Sequence, residues 1–299
     1  MRAITFTEYG GPEVLRLNDV PVPEPGQGQI RVAVRRAGVN PIDWKIRSGS
    51  MTQDAAPDGV QIPGLEVSGV VDAVGDGAGF AVGDEVFGWS ATGSYADYAL
   101  ASAVVRKPAD LSWEDAVALP VAGETALRVL DLLGVRAGEL VLIHGATGAV
   151  GRFATQAAVA LGATVIGTTG RQGHDDVKAL GATPVGYGDG WLERVRAAAD
   201  RPVDAVFDAS GHGVLPGSVE LLGSKDRIVT IADGAAFELG ITFSSGGDPQ
   251  PDVLERILEL RAKGLRIALG SSYPLEEAAA AQRESEAGHP GGKITLAVS

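Results

Sequence analysis

Leu140-Val141-Leu142-Ile143-His144-Gly145-Ala146-Thr147-Gly148-Ala149-Val150-Gly151 is the stretch that decides the fold. A short apolar run ends in three glycines spaced three apart, and an alanine-rich apolar run, 152–161, follows. That order is strand, tight turn, helix. Gly145 permits the turn, Gly148 lets backbone approach a pyrophosphate, and Gly151 lets the new helix pack on its strand, while the helix N-terminus offers N–H groups and a positive dipole end. Taken alone, a glycine triplet reads equally well as a structural turn. The preceding strand, the following helix and the units beyond them favour a dinucleotide site.

Outward from this turn, the chain after Trp113 alternates short apolar runs with longer helical stretches, the pattern of βαβ units around a parallel sheet. Strands are predicted at 140–144, 164–168, 203–208, 227–231 and 241–244, and helices at 150–161, 175–180, 192–199, 215–222 and 253–263. Before Ser112 the style is different: Gln29-Ile30-Arg31-Val32-Ala33-Val34-Arg35 alternates polar and apolar residues, and Pro- and Gly-rich turns punctuate the rest. No helical period is sustained there. The expected class is α/β, a doubly wound Rossmann sheet over 113–264 plus a β-rich domain of 1–112 and 265–299, with a strand ending at Val298 returning to that domain.

The 299 residues contain no cysteine, which removes disulfides, thiolate nucleophiles and thiolate metal sites. His144, His174, His212 and His289 stand far apart, without spacings that pre-assemble a zinc site, so no metal is expected. A net charge of −13 argues against nucleic acid, whose binding rests on Lys and Arg neutralising phosphates. No apolar run is long enough to span a bilayer, and the start of the chain lacks a secretory pattern. A cytoplasmic protein without a membrane partner is expected.

Dinucleotide choice is made at the end of the second strand, where NAD-selective sites place a carboxylate for the ribose 2′-hydroxyl. Here stand Gly167-Thr168-Thr169-Gly170-Arg171, and the Arg171 guanidinium suits a 2′-phosphate. NADPH is expected. The alternative is that Arg171 is a loop charge and Asp175 or Asp176 selects NAD.

The chain resembles the medium-chain dehydrogenase/reductase superfamily, and within it the zinc-free, zeta-crystallin-like quinone oxidoreductase group. The motifs that carry this are Tyr9-Gly10-Gly11-Pro12-Glu13-Val14-Leu15, Ala37-Gly38-Val39-Asn40-Pro41-Ile42-Asp43-Trp44-Lys45, Pro63-Gly64-Leu65-Glu66-Val67-Ser68-Gly69, Leu119-Pro120-Val121-Ala122-Gly123-Glu124-Thr125-Ala126, the glycine turn, and Gly291-Gly292-Lys293-Ile294. The resemblance implies a GroES-like catalytic domain, an active-site cleft where it meets the Rossmann domain, and a homodimer joined through an edge strand of the Rossmann sheet. Zinc members of the superfamily carry cysteine where this chain has Asn40 and histidine where it has Leu65.

Without a Lewis acid an unactivated ketone is hard to polarise, whereas a quinone or conjugated enone is already electrophilic. Reduction of a quinone by NADPH is therefore expected, with reduction of an enone or enoyl thioester as the alternative and a non-catalytic NADPH-binding role behind both. Asn40, Asp43 and Lys45 are the candidate catalytic residues. Asn40 matches a family position near the nicotinamide and is expected as an amide contact to the cofactor or to the acceptor, Asp43 reads equally as a cap, and Lys45 reads also as a solvated surface lysine. Some members carry tyrosines where this chain has Lys45 and Met51. Gly145, Ala146, Gly148, Ala149, Val150 and Gly151 of the turn, Thr169, Gly170 and Arg171 after the second strand, Ser210, Gly211, Ile231 and Ala232 at later strand ends, and Phe243, Ser244 and Ser245 beyond them are expected at the cofactor. The resemblance adds Thr125 beside the nicotinamide and Tyr187 beside the adenine or 2′-phosphate, and Lys293 reads equally as a contact at the active-site mouth or 2′-phosphate and as part of a structural turn.

Overall fold

The computed structural model of the chain describes residues 1–52, 54–246, 250–288 and 291–298. They form two compact units, one of residues 1–121, 249–256 and 267–299, the other of residues 122–248 and 257–266. Sequence pattern alone groups 113–121 and 249–256 with the Rossmann segment; in the structure they go with the first unit. Side chains explain the first of these. Arg36 pairs with Glu114 at 2.7 Å, and the Ser68 hydroxyl donates to the Trp113 carbonyl at 2.8 Å, fastening the helix Trp113–Ala118 to the first unit's sheet.

The second unit is built on a six-stranded parallel sheet in the order Thr183–Gly186, Thr164–Thr169, Leu140–His144, Ala205–Asp208, Ile228–Thr230, Thr242–Phe243. All five residues of Leu140–His144 are buried, as a strand covered on both faces requires. The order reverses direction between Leu140–His144 and Ala205–Asp208, and ligands bind such sheets beyond the carboxyl ends at that switch. Helix Ala149–Ala160 buries Gly151, Ala154, Ala157 and Ala158, small residues that let its axis approach the sheet. Thr183–Gly186 is absent from the apolar runs because only Val185 of its four residues is buried. Helix Pro120–Leu133 is likewise missed, since its opening proline reads as a breaker but is well suited to a first helical position.

The first unit holds a seven-stranded sheet ordered Leu269–Pro274, Lys293–Ala297, Ile30–Val39, Glu66–Val74, Glu85–Trp89, Val104–Arg106, with Tyr98–Ala101 also paired to Ile30–Val39. Ile30, Val32 and Val34 point inward at every second position and join Val67, Val71, Val86, Ile294 and Leu296 in one core. The helix Pro41–Arg47 follows directly on the strand Ile30–Val39. Its cap is legible in hindsight: Asn40 at the N-cap, Pro41 at the first position and Asp43 at the third form a start signal. Among the described residues no helix is long and apolar enough to cross a membrane.

Candidate functional site

In the second unit the glycine turn is locked to the neighbouring strand. The Ala146 N–H donates to the Thr168 carbonyl at 3.0 Å, and the hydroxyls of Thr147 and Thr169 meet at 3.1 Å. Gly145 has φ of 77°, in the left-handed region that favours glycine, and a Cβ on Gly151 would collide with the Gly145 carbonyl. Gly148 is the exposed N-cap of helix Ala149–Ala160, so Ala149 and Val150 form its first turn, where backbone N–H groups lack intrahelical partners. This cradle fits a pyrophosphate. Ala146, by contrast, is buried with its N–H committed to the sheet, so its backbone donor serves to build the turn.

Beside the turn, strand Thr164–Thr169 runs into Gly170 and the short turn Arg171–Gly173. The Tyr187 N–H donates to the Thr169 carbonyl at 3.1 Å, so the end of strand Thr183–Gly186 delivers an exposed tyrosine next to exposed Arg171. The two aspartates that follow are placed differently. Asp176 pairs with Arg152, and Asp175 lies near Lys178 with its carboxylate 97% exposed.

The remaining strand ends are organised by Asp208, which the sequence reading passed over. Its Oδ1 accepts the N–H groups of Ser210 and Gly211 at 2.9 and 3.1 Å and the Ser210 hydroxyl at 2.8 Å, while its Oδ2 accepts the Thr230 hydroxyl at 2.8 Å. Thr230 Oγ1 in turn accepts the Ala232 N–H at 3.1 Å. One buried carboxylate thus sets the two loops holding Ser210, Gly211, Ile231 and Ala232. An Asp closing an apolar run two residues before Ser-Gly was the available signal. His144, next to the turn, is buried edge-on against Trp191, and burial pushes its imidazole down to about 4, so it stays neutral.

Thr125 and Ser244 belong to one network. Arg128, one turn beyond Glu124 on helix Pro120–Leu133, donates from Nε to Glu124 Oε1 at 2.6 Å and from Nη1 to the Ser244 hydroxyl. Thr125 Oγ1 lies 3.5 Å from Glu124 Oε2. Phe243 stacks on Phe237 with ring centroids 5.2 Å apart, and Ser245 is exposed.

Asn40, Asp43, Lys45 and Lys293 lie in the first unit. Asn40 is 5% exposed; its Nδ2 donates to Glu66 Oε2 at 2.8 Å and its Oδ1 accepts from Lys293 Nζ at 2.6 Å. Lys293 also pairs with Glu66 and is itself buried, so its ammonium is taken inside the unit rather than presented to a cofactor phosphate, and of the two readings weighed for it the structural one describes its contacts. Asp43 is engaged as a cap. Its Oδ2 accepts the Asn40 N–H at 2.8 Å and the Tyr95 hydroxyl at 3.0 Å, the capping role weighed for it. Burial pushes its carboxyl up to about 7, against the pull of those hydrogen bonds and of Lys293. Lys45 is half-buried, with its ammonium 5.7 Å from the Trp44 ring centroid.

These residues do not fit zinc. Leu65 offers no donor, and the Asn40 amide and Glu66 carboxylate are bound to each other and to Lys293. Among the described residues no group of three His, Asp or Glu side chains is arranged to hold a metal, and His289 lies outside the described residues.

Residues 26–109 match the alcohol dehydrogenase GroES-like domain, and residues 149–246 match the zinc-binding dehydrogenase domain. The quinone oxidoreductase of Lama guanicoe is 34% identical over 99% of this chain and 97% of its own length, and that of Rattus norvegicus is 33% identical over 98% and 96%. Among solved structures, the quinone oxidoreductase from Coxiella burnetii superposes with a TM-score of 0.87 at 32% identity, covering 100% of this chain and 99% of that one. A mycobacterial protein solved in complex with NADPH gives a TM-score of 0.86 at 30% identity, covering 100% of both chains.

Proposed function

The chain belongs to the quinone oxidoreductase group of the medium-chain dehydrogenase/reductase superfamily and is a nicotinamide-dependent oxidoreductase, and from that premise we propose that it delivers the hydride of NADPH to a quinone. The observation that carries this reading is the buried amide of Asn40, at the position where zinc members have a thiolate ligand. An amide N–H cannot polarise an unactivated ketone as a metal does, but it suffices as donor to an oxygen of an acceptor that is already electrophilic.

On the cofactor side, Ala149 and Val150 present first-turn N–H groups to the pyrophosphate, and Arg171 with Tyr187 receives the 2′-phosphate and the adenine edge. NADPH supplies the hydride when bound. Asp208 holds the Ser210 and Ile231 loops, and the Arg128–Ser244 bond holds the segment after Phe243 for the nicotinamide half. Two electrons leave with the hydride, one proton from solvent completes the hydroquinone, and NADP⁺ is the other product.

The protein acts as a homodimer in this reading. Thr242–Phe243 is an edge strand, and beside it Phe237 is 74% exposed, an apolar surface suited to a second copy.

The test is an acceptor panel with NADPH and chelator present: 1,4-benzoquinone, 9,10-phenanthrenequinone and 2-cyclohexenone. Chelator-resistant turnover of the quinones is expected. Turnover of the enone alone moves the assignment to enone reduction, and loss of activity with chelator overturns the metal-free chemistry.

A further inference from the structure

Asn40, Glu66 and Lys293 come from three distant segments, and the first unit's sheet gathers them. Glu66 is in register with Gly38, and Ile294 with Val39, which sets Lys293 beside Asn40. Glu66 lies directly over Gly38, where any Cβ would collide with its carboxylate. The three side chains are all 5% exposed or less. Glu66 Oε1 accepts the Val121 N–H at 2.7 Å, and Oε2 accepts from both Asn40 and Lys293, so its carboxylate is engaged at both oxygens.

This arrangement admits one orientation of the Asn40 amide. Turned by 180°, the amide would aim its oxygen at a carboxylate and its NH₂ at an ammonium, two repulsive contacts in place of two charge-assisted bonds. Of the two Nδ2 hydrogens, the bond to Glu66 uses one. The ammonium at Oδ1 also draws electron density through the amide and makes the other N–H a stronger donor. A buried ion pair is weak evidence of net stabilisation, because desolvation offsets its attraction. What the pair supplies here is a fixed, polarised amide.

We infer that Glu66 and Lys293 are positioning residues for the reduction: they lock the Asn40 amide so that its second N–H serves the acceptor oxygen as negative charge builds there. The inference rests on the reading of Asn40 as the acceptor's donor. Neither Glu66 nor Lys293 touches the acceptor itself, so each acts only through Asn40. Asp43 Oδ2 accepts the backbone N–H of Asn40 instead, and the Tyr95 hydroxyl donates to that same oxygen.

The test is a double-mutant cycle of Asn40→Ala and Lys293→Met, with steady-state kinetics on NADPH and 1,4-benzoquinone and NADPH affinity from fluorescence titration. Removing one oriented donor is expected to lower kcat by about 100- to 1,000-fold in Asn40→Ala. Lys293→Met is expected to lower kcat by about tenfold with NADPH affinity unchanged, Lys293→Arg to recover part of the loss, and the double variant to be no slower than Asn40→Ala. Losses that multiply in the double variant, or a parallel fall in NADPH affinity, overturn the positioning role while leaving Asn40 as donor. Full activity of Asn40→Ala overturns the donor reading itself and the inference with it. Should Lys293→Met fail to fold, the isosteric Glu66→Gln enters the same cycle and is judged by the same outcomes.

Discussion

Tyr187 packs against Gly170: a Cβ on Gly170 would stand 3.2 Å from Tyr187 Cε1, so glycine at this position lets the ring lie beside the end of strand Thr164–Thr169. Arg171 follows immediately, and the pair frames the place where a carboxylate would stand in an NAD-selective site. Arg171→Ala is expected to weaken NADPH binding by roughly 10- to 100-fold, the value of one or two charge-assisted bonds to a phosphate, and to leave NADH binding unchanged. Equilibrium titration with both cofactors measures this. Equal losses for the two would show that Arg171 does not read the 2′-phosphate.

Gly151 is the position at which the glycine turn tolerates least. A methyl group there meets the Gly145 carbonyl, so Gly151→Ala must push the first turn of helix Ala149–Ala160 off its strand. The expected cost is about 1–3 kcal/mol of stability, together with at least a tenfold loss of NADPH affinity. Thermal unfolding with and without cofactor reads both effects, and a variant with unchanged affinity would contradict the cradle.

Much of the second unit was legible because its signals are local. The run Leu140–His144 and the glycines after it specify strand, turn and helix within a dozen residues, and the apolar runs at 164–168 and 203–208 are found as strands Thr164–Thr169 and Ala205–Asp208. The site of the first unit was legible only in part. Asn40 and Asp43 were picked out by resemblance, but Glu66 opens a mostly apolar strand and its buried partner Lys293 is 227 residues away, a separation no local pattern encodes. Lys293 stays undecided between a cofactor contact and a structural turn for the same reason: a lysine in a Gly-Gly-Lys turn reads as exposed until the strand pairing that buries it is known. Arg128 escaped notice because its hydroxyl partner, Ser244, is also far along the chain.

Arg128→Met removes the tie between helix Pro120–Leu133 and Ser244 while keeping much of the side-chain volume. With the loop after Phe243 freed, kcat with NADPH and a quinone is expected to fall about fivefold, equivalent to about 1 kcal/mol, with little change in melting temperature. Stopped-flow or steady-state kinetics beside a thermal melt separates the two. A large drop in stability with kcat intact would assign Arg128 to packing alone.

Two buried groups tilt stability against pH in opposite directions. Asp43, raised to about 7, takes up a proton on folding, so its contribution is full below the ordinary carboxylate range near 4 and is lost as pH rises through about 7. His144, lowered to about 4, gives one up, so its contribution is present above about 6.5 and is lost as pH falls through about 4. Asp43→Asn is therefore expected to be stabilised relative to the wild type at pH 8 compared with pH 4, by an amount on the order of a few kcal/mol. Denaturant titrations of both proteins at the two pH values measure the difference, and parallel profiles would show that Asp43 is ionised throughout.

The most direct measurement is the ratio of kcat/KM for NADPH to that for NADH in the reduction of 1,4-benzoquinone by the purified protein. A ratio of at least about ten in favour of NADPH, with hydroquinone formed in equal amount to NADP⁺, is the expected result. Equal or greater efficiency with NADH, or no hydroquinone with either cofactor, would contradict the assignment of NADPH as hydride source and quinone as acceptor.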